Sequence, residues 1–396
     1  MKILYISPKL PFPLDEGGKI AIFGEIKYLA LKGHKIDLVT YSKITDSDDS
    51  IKKVNEFCDI HFIDHSTENS FVGMFKNLFS DIPYNLSKYH SPKLMNFLKD
   101  YLNNNDVDII QISNLHMGFV VDELRKYTYA KIILRQQNVE GQIMKRFFEM
   151  KKNPIVKNYA KLQYKRFLNY EADLCAKFDH VVFITQNDMD YLTEQNGTIK
   201  GSVIPAGIEK DYLNFTKENI EEFSMFHTGS LKWLPNLDSA KYFIESILPL
   251  IVSQEPNVKF YLYGGILPKS FEIPELVKSN VIQKGFVDDL WGDLRNKSLA
   301  VVPLRVGSGM RLKVIELMAS GNLIVTTSIG AEGIGAVNKE HLFVEDSPEN
   351  FAEKCLELIR NRDEHLEIIS NAKKFVLENY TWESIIEKFE LIYKQN

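Results

Sequence analysis

The sequence predicts an α/β protein of two units, each a parallel sheet covered on both faces by helices. Three observations carry that expectation. Short apolar, β-branched runs alternate with amphipathic stretches along the chain; the rhythm breaks once near the middle and then restarts; and 396 residues suit two cores, at roughly 100–200 residues per domain. Runs that are apolar without alternation indicate strands buried on both faces, whereas a sheet wet on one face alternates.

In the first half Ile3 to Ile6 reads as a strand and Gly18 to Lys32 as a helix. Further strands are expected at Ile36 to Tyr41, Ile60 to Ile63, Ile109 to Ile112, Ile132 to Leu134 and Val181 to Ile184. A break falls at Val203-Ile204-Pro205-Ala206-Gly207-Ile208, followed by the acidic stretch Glu209 to Glu222, which reads as a hinge. Strands then resume at Ser224 to His227, Lys259 to Tyr263, Val281 to Gln283, Leu299 to Val302 and Leu323 to Thr326. Trp382 to Lys394 is amphipathic and helical. The expected organisation is a first domain over 1–205, a second over 206–379, and a terminal helix over 380–396 that crosses back to the first. Doubly wound sheets bind ligands outside the carboxyl ends of their strands, so two that face each other would line one cleft.

Bulk properties narrow the function. A formal net charge of −5 argues against a nucleic-acid partner, which needs a basic face. Cys58, Cys175 and Cys355 are odd in number, far apart and match no metal spacing, which fits a reducing, cytoplasmic compartment. The apolar run at the N-terminus is too short for a signal sequence. No stretch approaches the about 18 apolar residues of a membrane span. Neither a metal nor a cofactor is expected: Asp288, Asp289 and Asp293 are wrongly spaced for a metal motif and suit a helix start instead.

The segment Pro303-Leu304-Arg305-Val306-Gly307-Ser308-Gly309-Met310-Arg311-Leu312-Lys313-Val314-Ile315-Glu316 carries the most chemistry. A strand ends at Pro303, a glycine-containing loop follows, and a helix is expected to begin near Met310. Backbone N–H groups at such a helix start, with Arg311 and Lys313 beside them, suit a diphosphate. Glu316 can accept paired hydrogen bonds from vicinal hydroxyls such as those of a ribose. The plainer reading is a surface helix with a Lys313–Glu316 pair.

This segment resembles the donor-site signature of the family-four glycosyltransferases, retaining enzymes of the GT-B fold, in which two Rossmann-like domains face each other across a cleft. The resemblance continues through Phe226-His227-Thr228-Gly229-Ser230, Pro235-Asn236, Gly285-Phe286-Val287, Gly330-Ala331-Glu332-Gly333 and Tyr380-Thr381-Trp382-Glu383. It implies a nucleotide-sugar donor, UDP- or GDP-linked, and a glycan or lipid-linked acceptor in cell-surface polysaccharide or glycoconjugate synthesis. It assigns the donor to Gly17, Gly18, Gly229, Ser230, Gly264, Gly285, Phe286, Val287, Ser308, Gly309 and Glu316, with Arg311 and Lys313 as the catalytic cations. His116, Asn138 and Glu140 fall on the acceptor side.

Several positions depart from the family pattern. Ser308 stands where many members carry a first glutamate, and Ser230 and Asn236 stand where many carry an Arg and a Lys that grip the diphosphate. Some cation must stabilise a dianionic leaving group, and Arg311 and Lys313 can supply it from the opposite loop, with Lys232 as a third candidate. Gln137 sits in Arg135-Gln136-Gln137-Asn138-Val139-Glu140, where a histidine is common, and it cannot shuttle a proton. Retaining transfer does not require one if the leaving phosphate takes the acceptor proton. Two other readings stay open: a nucleotide-sugar epimerase on the same architecture, and a non-catalytic nucleotide- or glycan-binding relative.

Two segments stand apart from the donor signature. Between Lys145 and Arg166 there are eight Lys or Arg against one acid, Glu149, with Phe147, Phe148, Tyr159 and Tyr164 interleaved. Phe71-Val72-Gly73-Met74-Phe75-Lys76-Asn77-Leu78-Phe79 is apolar with one lysine. The favoured reading makes both amphipathic helices packed on the sheet with solvated outer faces. The other is peripheral contact with the inner face of an anionic membrane or with a lipid-diphosphate acceptor.

Overall fold

A computed structural model describes residues 1–14, 16–41, 47–150, 153–306 and 310–395, apart from the side chains of Met150 and Ile155. The chain divides into two units, Met1–Ala206 with Ile385–Asn396, and Gly207–Ser384.

Unit 1 is built on seven parallel strands: β1 (Lys2–Ser7), β2 (Lys35–Tyr41), β3 (Asp59–Ile63), β4 (Ile109–Ser113), β5 (Lys131–Gln136), β6 (His180–Phe183) and β7 (Gly201–Val203). Their order is β3-β2-β1-β4-β5-β6-β7. The chain leaves β1 for β2 on one side and later returns to β4 on the other, so the order reverses beside β1. Such a reversal opens a crevice at the strand ends. Ile3, Ile6, Ile110, Ile112, Ile132 and Leu134 are fully buried, as runs covered on both faces should be.

Unit 2 has six parallel strands: β8 (Glu221–His227), β9 (Lys259–Tyr263), β10 (Val281–Gly285), β11 (Lys297–Val302), β12 (Leu323–Thr326) and β13 (Phe343–Val344). The order β10-β9-β8-β11-β12-β13 reverses beside β8. Phe260, Leu262, Val301 and Val325 meet Phe243, Ile247 and Phe351 in its core.

Every strand read from the sequence is present, within a residue or two at its ends and, at β8, three at its start. The two-residue β13 escapes the pattern because it has no run to be read. Asp289 opens the helix Leu290–Leu294, its carboxylate accepting from Gly292 N at 2.9 Å, and Asp293 pairs with Lys284 at 3.1 Å. Among the described residues no group of three or more His, Cys, Asp or Glu could hold a metal ion.

One expectation is corrected. The helix Phe71–Asn77 does not turn a solvated polar face outward: Phe71, Val72 and Phe75 are exposed, while Asn77 is buried. The cause is the polar partners below it. Arg166 Nη1 donates to Asn77 Oδ1 at 2.8 Å and to its carbonyl at 2.9 Å, and Gln163 Nε2 donates to Asn77 Oδ1 at 3.1 Å.

A second feature of unit 1 was not anticipated. Glu25 and Arg135 are fully buried and paired, Nε to Oε1 at 2.8 Å. Tyr5 and Gln111 donate to the other carboxylate oxygen at 2.7 and 2.8 Å. The guanidinium also donates to the carbonyls of Phe183, Ile204 and Pro205 and lies 5.4 Å from the Phe389 ring centroid. Tyr393 closes the network by donating to Gln111 Oε1. Burial raises the Glu25 carboxyl, while Arg135, Tyr5 and Gln111 pull it back.

Candidate functional site

The motif residues of unit 2 gather at the carboxyl ends of β8, β9 and β10, beside the reversal in strand order. The three loops are laced together by backbone: Leu231 N donates to Gly264 O at 2.9 Å, and Gly264 N to Gly285 O at 2.7 Å. This lacing explains the glycine at 264. Its φ is +96°, and an added Cβ would run into the carbonyl of Gly229.

From the other side of β8 comes the helix Leu312–Ala319, which starts two residues later than the sequence suggests. Lys313 reaches across to that edge. Its ammonium donates to Thr228 O at 3.0 Å and to Asn236 Oδ1 at 2.9 Å, and Asn236 in turn donates from Nδ2 to Ser230 O at 3.2 Å. An ammonium has three N–H donors, so one is left for a ligand. Burial, and then the charge of Arg311, lower Lys313 to about 7. Arg311 itself is buried. His227, at the end of β8, donates from Nδ1 to Val301 O at 3.1 Å, and burial with Lys313 nearby lowers it to about 3, so it is neutral.

The reading of Lys313 and Glu316 as a surface pair is corrected: Lys313 turns to Asn236, and Glu316 lies beside Tyr212. Burial raises the Glu316 carboxyl and Tyr212 lowers it in part. Tyr212 lies outside the residues that the sequence motifs mark. It lies in the acidic stretch read as a hinge, and its ring packs edge-on against Trp291 at 4.9 Å. An aromatic residue amid polar ones was the available signal. Phe286 is exposed and Val287 half-buried just after β10, and Lys232 is exposed and takes no part in the Lys313–Asn236 contacts. Ser308 and Gly309 lie outside the described residues.

Unit 1 gathers a second set at the ends of β1, β4 and β5. Gly17 and Gly18 open the helix Gly17–Leu31. Gln137 Nε2 reaches the Gly18 carbonyl at 3.4 Å and Ser113 Oγ at 3.2 Å. A Cβ at Gly18 would lie 2.6 Å from Gln137 Oε1, so glycine permits the approach. His116 Nδ1 is 2.5 Å from Asn114 Oδ1 and its ring lies 4.8 Å from that of Tyr89. Burial, then Lys88 and Lys9, lower His116 to about 4. Asn138 is exposed in the turn after β5. Glu140 is buried, which raises it to about 7, and its charge is felt by Tyr89. The helix start at Glu140 is fixed by a residue the sequence did not flag: Glu171 accepts from Glu140 N, Gly141 N and Gln136 Nε2 at 2.9, 2.8 and 2.7 Å.

Residues 222–361 match the family model described as "Glycosyl transferases group 1". Over the full length of both chains the protein is 24% identical to an uncharacterised 44.6 kDa protein in the cps region of Klebsiella pneumoniae. It is 30% identical over 223 residues to a poly(ribitol-phosphate) alpha-N-acetylglucosaminyltransferase of Staphylococcus aureus (strain COL), covering 50% of this chain and 45% of the relative. Among solved structures it is similar to a mutant of S. aureus TarM in complex with fondaparinux, alpha-GlcNAc-glycerol and UDP. That likeness has a TM-score of 0.67 at 14% identity and covers 100% of both chains. At that identity it establishes the fold, GT-B.

Proposed function

We propose that this chain, a glycosyltransferase by the domain it carries on this fold, transfers a sugar from a UDP- or GDP-sugar with retention of configuration. The acceptor is a glycan or a lipid-linked saccharide of a cell-surface polysaccharide, handled on the cytoplasmic side. The observation that carries the reading is the Lys313 ammonium 2.9 Å from Asn236 Oδ1. The residue at 236 offers no charge of its own, and Lys313 brings one to that place.

In this reading residues 206–379 are the donor domain and 1–205 the acceptor domain, with the helix at 380–396 completing the latter. Arg311 and Lys313 meet the diphosphate, with Ser308 and Gly309 in the loop before them and Gly229, Ser230 and Gly264 offering close backbone approach. Gly285, Phe286 and Val287 border the base, and Glu316 accepts from the ribose hydroxyls. The bond from the sugar to the diphosphate breaks, the acceptor oxygen bonds the same carbon, and the acceptor proton leaves with the diphosphate. Two cations at the departing oxygen stabilise the charge that develops there. Gly17 and Gly18 offer backbone to the donor phosphates. His116, neutral at pH 7, with Asn138 and Glu140 hydrogen-bonds the acceptor.

A thermal-shift panel of UDP-, GDP- and ADP-sugars identifies the donor, since a ligand that binds the native state raises its stability. Release of free sugar and nucleoside diphosphate supports transfer; epimerised donor without release, or binding without turnover, would replace it. With the donor known, Glu316→Gln is expected to weaken nucleotide affinity roughly tenfold, the scale of a buried charged hydrogen bond. Unchanged affinity removes Glu316 from the ribose.

A pH dependence follows from Lys313. Its folded value of about 7 leaves it mostly neutral at pH 8, and an arriving diphosphate favours the charged form. Binding should therefore take up roughly 0.5–1 proton at pH 8, and affinity should rise as pH falls from 9 towards 7. Calorimetry in buffers of different ionisation enthalpy measures the uptake directly; none at all would place Lys313 away from the phosphates.

A further inference from the structure

The helix Phe71–Asn77 and the turn after it are built inside out. Phe71, Phe75 and Phe79 are 89%, 65% and 84% exposed, and Val72 is 64% exposed. The side held to unit 1 is the polar one. Beyond the Asn77 contacts above, Asn77 Nδ2 donates to Ile82 O at 2.8 Å, Arg166 Nη2 to Leu78 O at 2.9 Å, and Ser70 N to Tyr84 Oη at 2.8 Å. Burying such aromatic area is the main favourable term in association, and here the polar contacts beneath hold it in water. A contiguous apolar patch of this kind marks an interaction surface.

The patch continues into a groove of about 680 Å³, where Met74 and Leu78 face Ile143, Phe147 and Val156. Those last three lie on the helices Glu140–Met150 and Pro154–Cys175, which carry the basic run. Lys145, Arg146, Lys157, Lys161 and Lys165 are exposed on them, with Lys76 on the apolar helix itself. Against these stand the exposed acids Glu149, Glu68 and Asp81. The net excess is positive on a chain whose total charge is −5.

We propose that this face of unit 1 seats on an anionic lipid surface, the phenylalanines entering the headgroup–acyl boundary and the lysines meeting the headgroups. Charge selects this occupant over a second copy of the chain. An isologous dimer sets the same patch against itself, so it would bring two basic rims together. No helix among the described residues is long and apolar enough to cross a membrane, so the contact is peripheral. The inference is independent of the transfer reaction, since no residue of the patch belongs to the site above.

The test is co-sedimentation of the full chain with vesicles of phosphatidylcholine alone or with roughly one-third phosphatidylserine. Binding is expected only to the anionic vesicles and should weaken with salt. Phe75→Asp with Phe79→Asp should lower partition at least about tenfold, as should Lys145→Glu with Arg146→Glu, while circular dichroism and donor-sugar hydrolysis stay as in the parent. Because these side chains are exposed, folding is not at stake. Failure of the parent to bind anionic vesicles would overturn the proposal, as would undiminished binding by the double aspartate variant. A lipid-free dimer seen by sedimentation velocity and abolished by that variant would overturn it in favour of self-association.

Discussion

Replacing Arg311 with alanine is expected to cut turnover by about 10²–10³-fold, the cost of losing one preorganised group at a developing oxyanion. Two consequences run in opposite directions. The departing diphosphate loses a buried cation, which raises the barrier. Lys313 at the same time loses the like charge that, after burial, lowers it, so it becomes more protonated at neutral pH. The ammonium should then hold the donor ground state nearly as well, and the loss should fall on kcat more than on KM. The limb of the pH–rate profile that reports Lys313 should move to higher pH. A purely structural role for Arg311 would lower the folded fraction without moving that limb. Activity within threefold of the parent would sink the assignment of Arg311 to the phosphates.

Arg135→Met should have the largest effect on stability. Breaking a buried pair leaves the other charge uncompensated and costs about 3–5 kcal/mol. Here the carbonyls of Phe183, Ile204 and Pro205 lose their donor as well. The pH dependence has a definite sign. Glu25 is already raised by burial, and without Arg135 its folded value rises further above the unfolded one. A carboxyl raised in the folded state contributes stability below its unfolded value and loses it as pH rises. The deficit should therefore be smallest near pH 4–5 and grow towards pH 8, about the interval over which an unfolded carboxyl ionises and a buried one does not. Hydrogen exchange of the β1 and β5 amides under denaturant reads unit 1 by itself. A deficit that does not change with pH would mean that Glu25 is not the group left behind.

The parts of this protein that were legible in its sequence are those set by local chemistry. Ile-rich runs such as Ile109 to Ile112 read as strands in a covered parallel sheet, and Gly264 after a strand marks a tight, close-approaching loop. Lys313 could be proposed as a phosphate cation, yet its contact with Asn236, 77 positions earlier, follows from how β8 and β11 lie side by side. Glu25 and Arg135 were silent for the same reason: Glu25 lies on the helix Gly17–Leu31 and Arg135 on β5, 110 positions later, and only the fold makes them partners. Tyr212 was hidden because a polar, acidic stretch reads as linker until something packs on it. The helix Phe71–Asn77 was misjudged because periodicity tells which residues share a face and not which face meets the core.

The division of unit 1 between residues 1–206 and 385–396 has a consequence for synthesis. Ile385, Ile386 and Phe389 are fully buried and Tyr393 nearly so, and Tyr393 satisfies Gln111 from the far end of the chain. Domains generally fold as they emerge from the ribosome, the N-terminal one first. Here unit 2 is contiguous and can close while translation continues, whereas unit 1 is complete only once its last helix is made. Until then the Arg135 network lacks its lid of Phe389 and Tyr393. The nascent chain therefore spends the whole translation of unit 2 with an open apolar seam in unit 1, and a chaperone that binds such seams would find its site there.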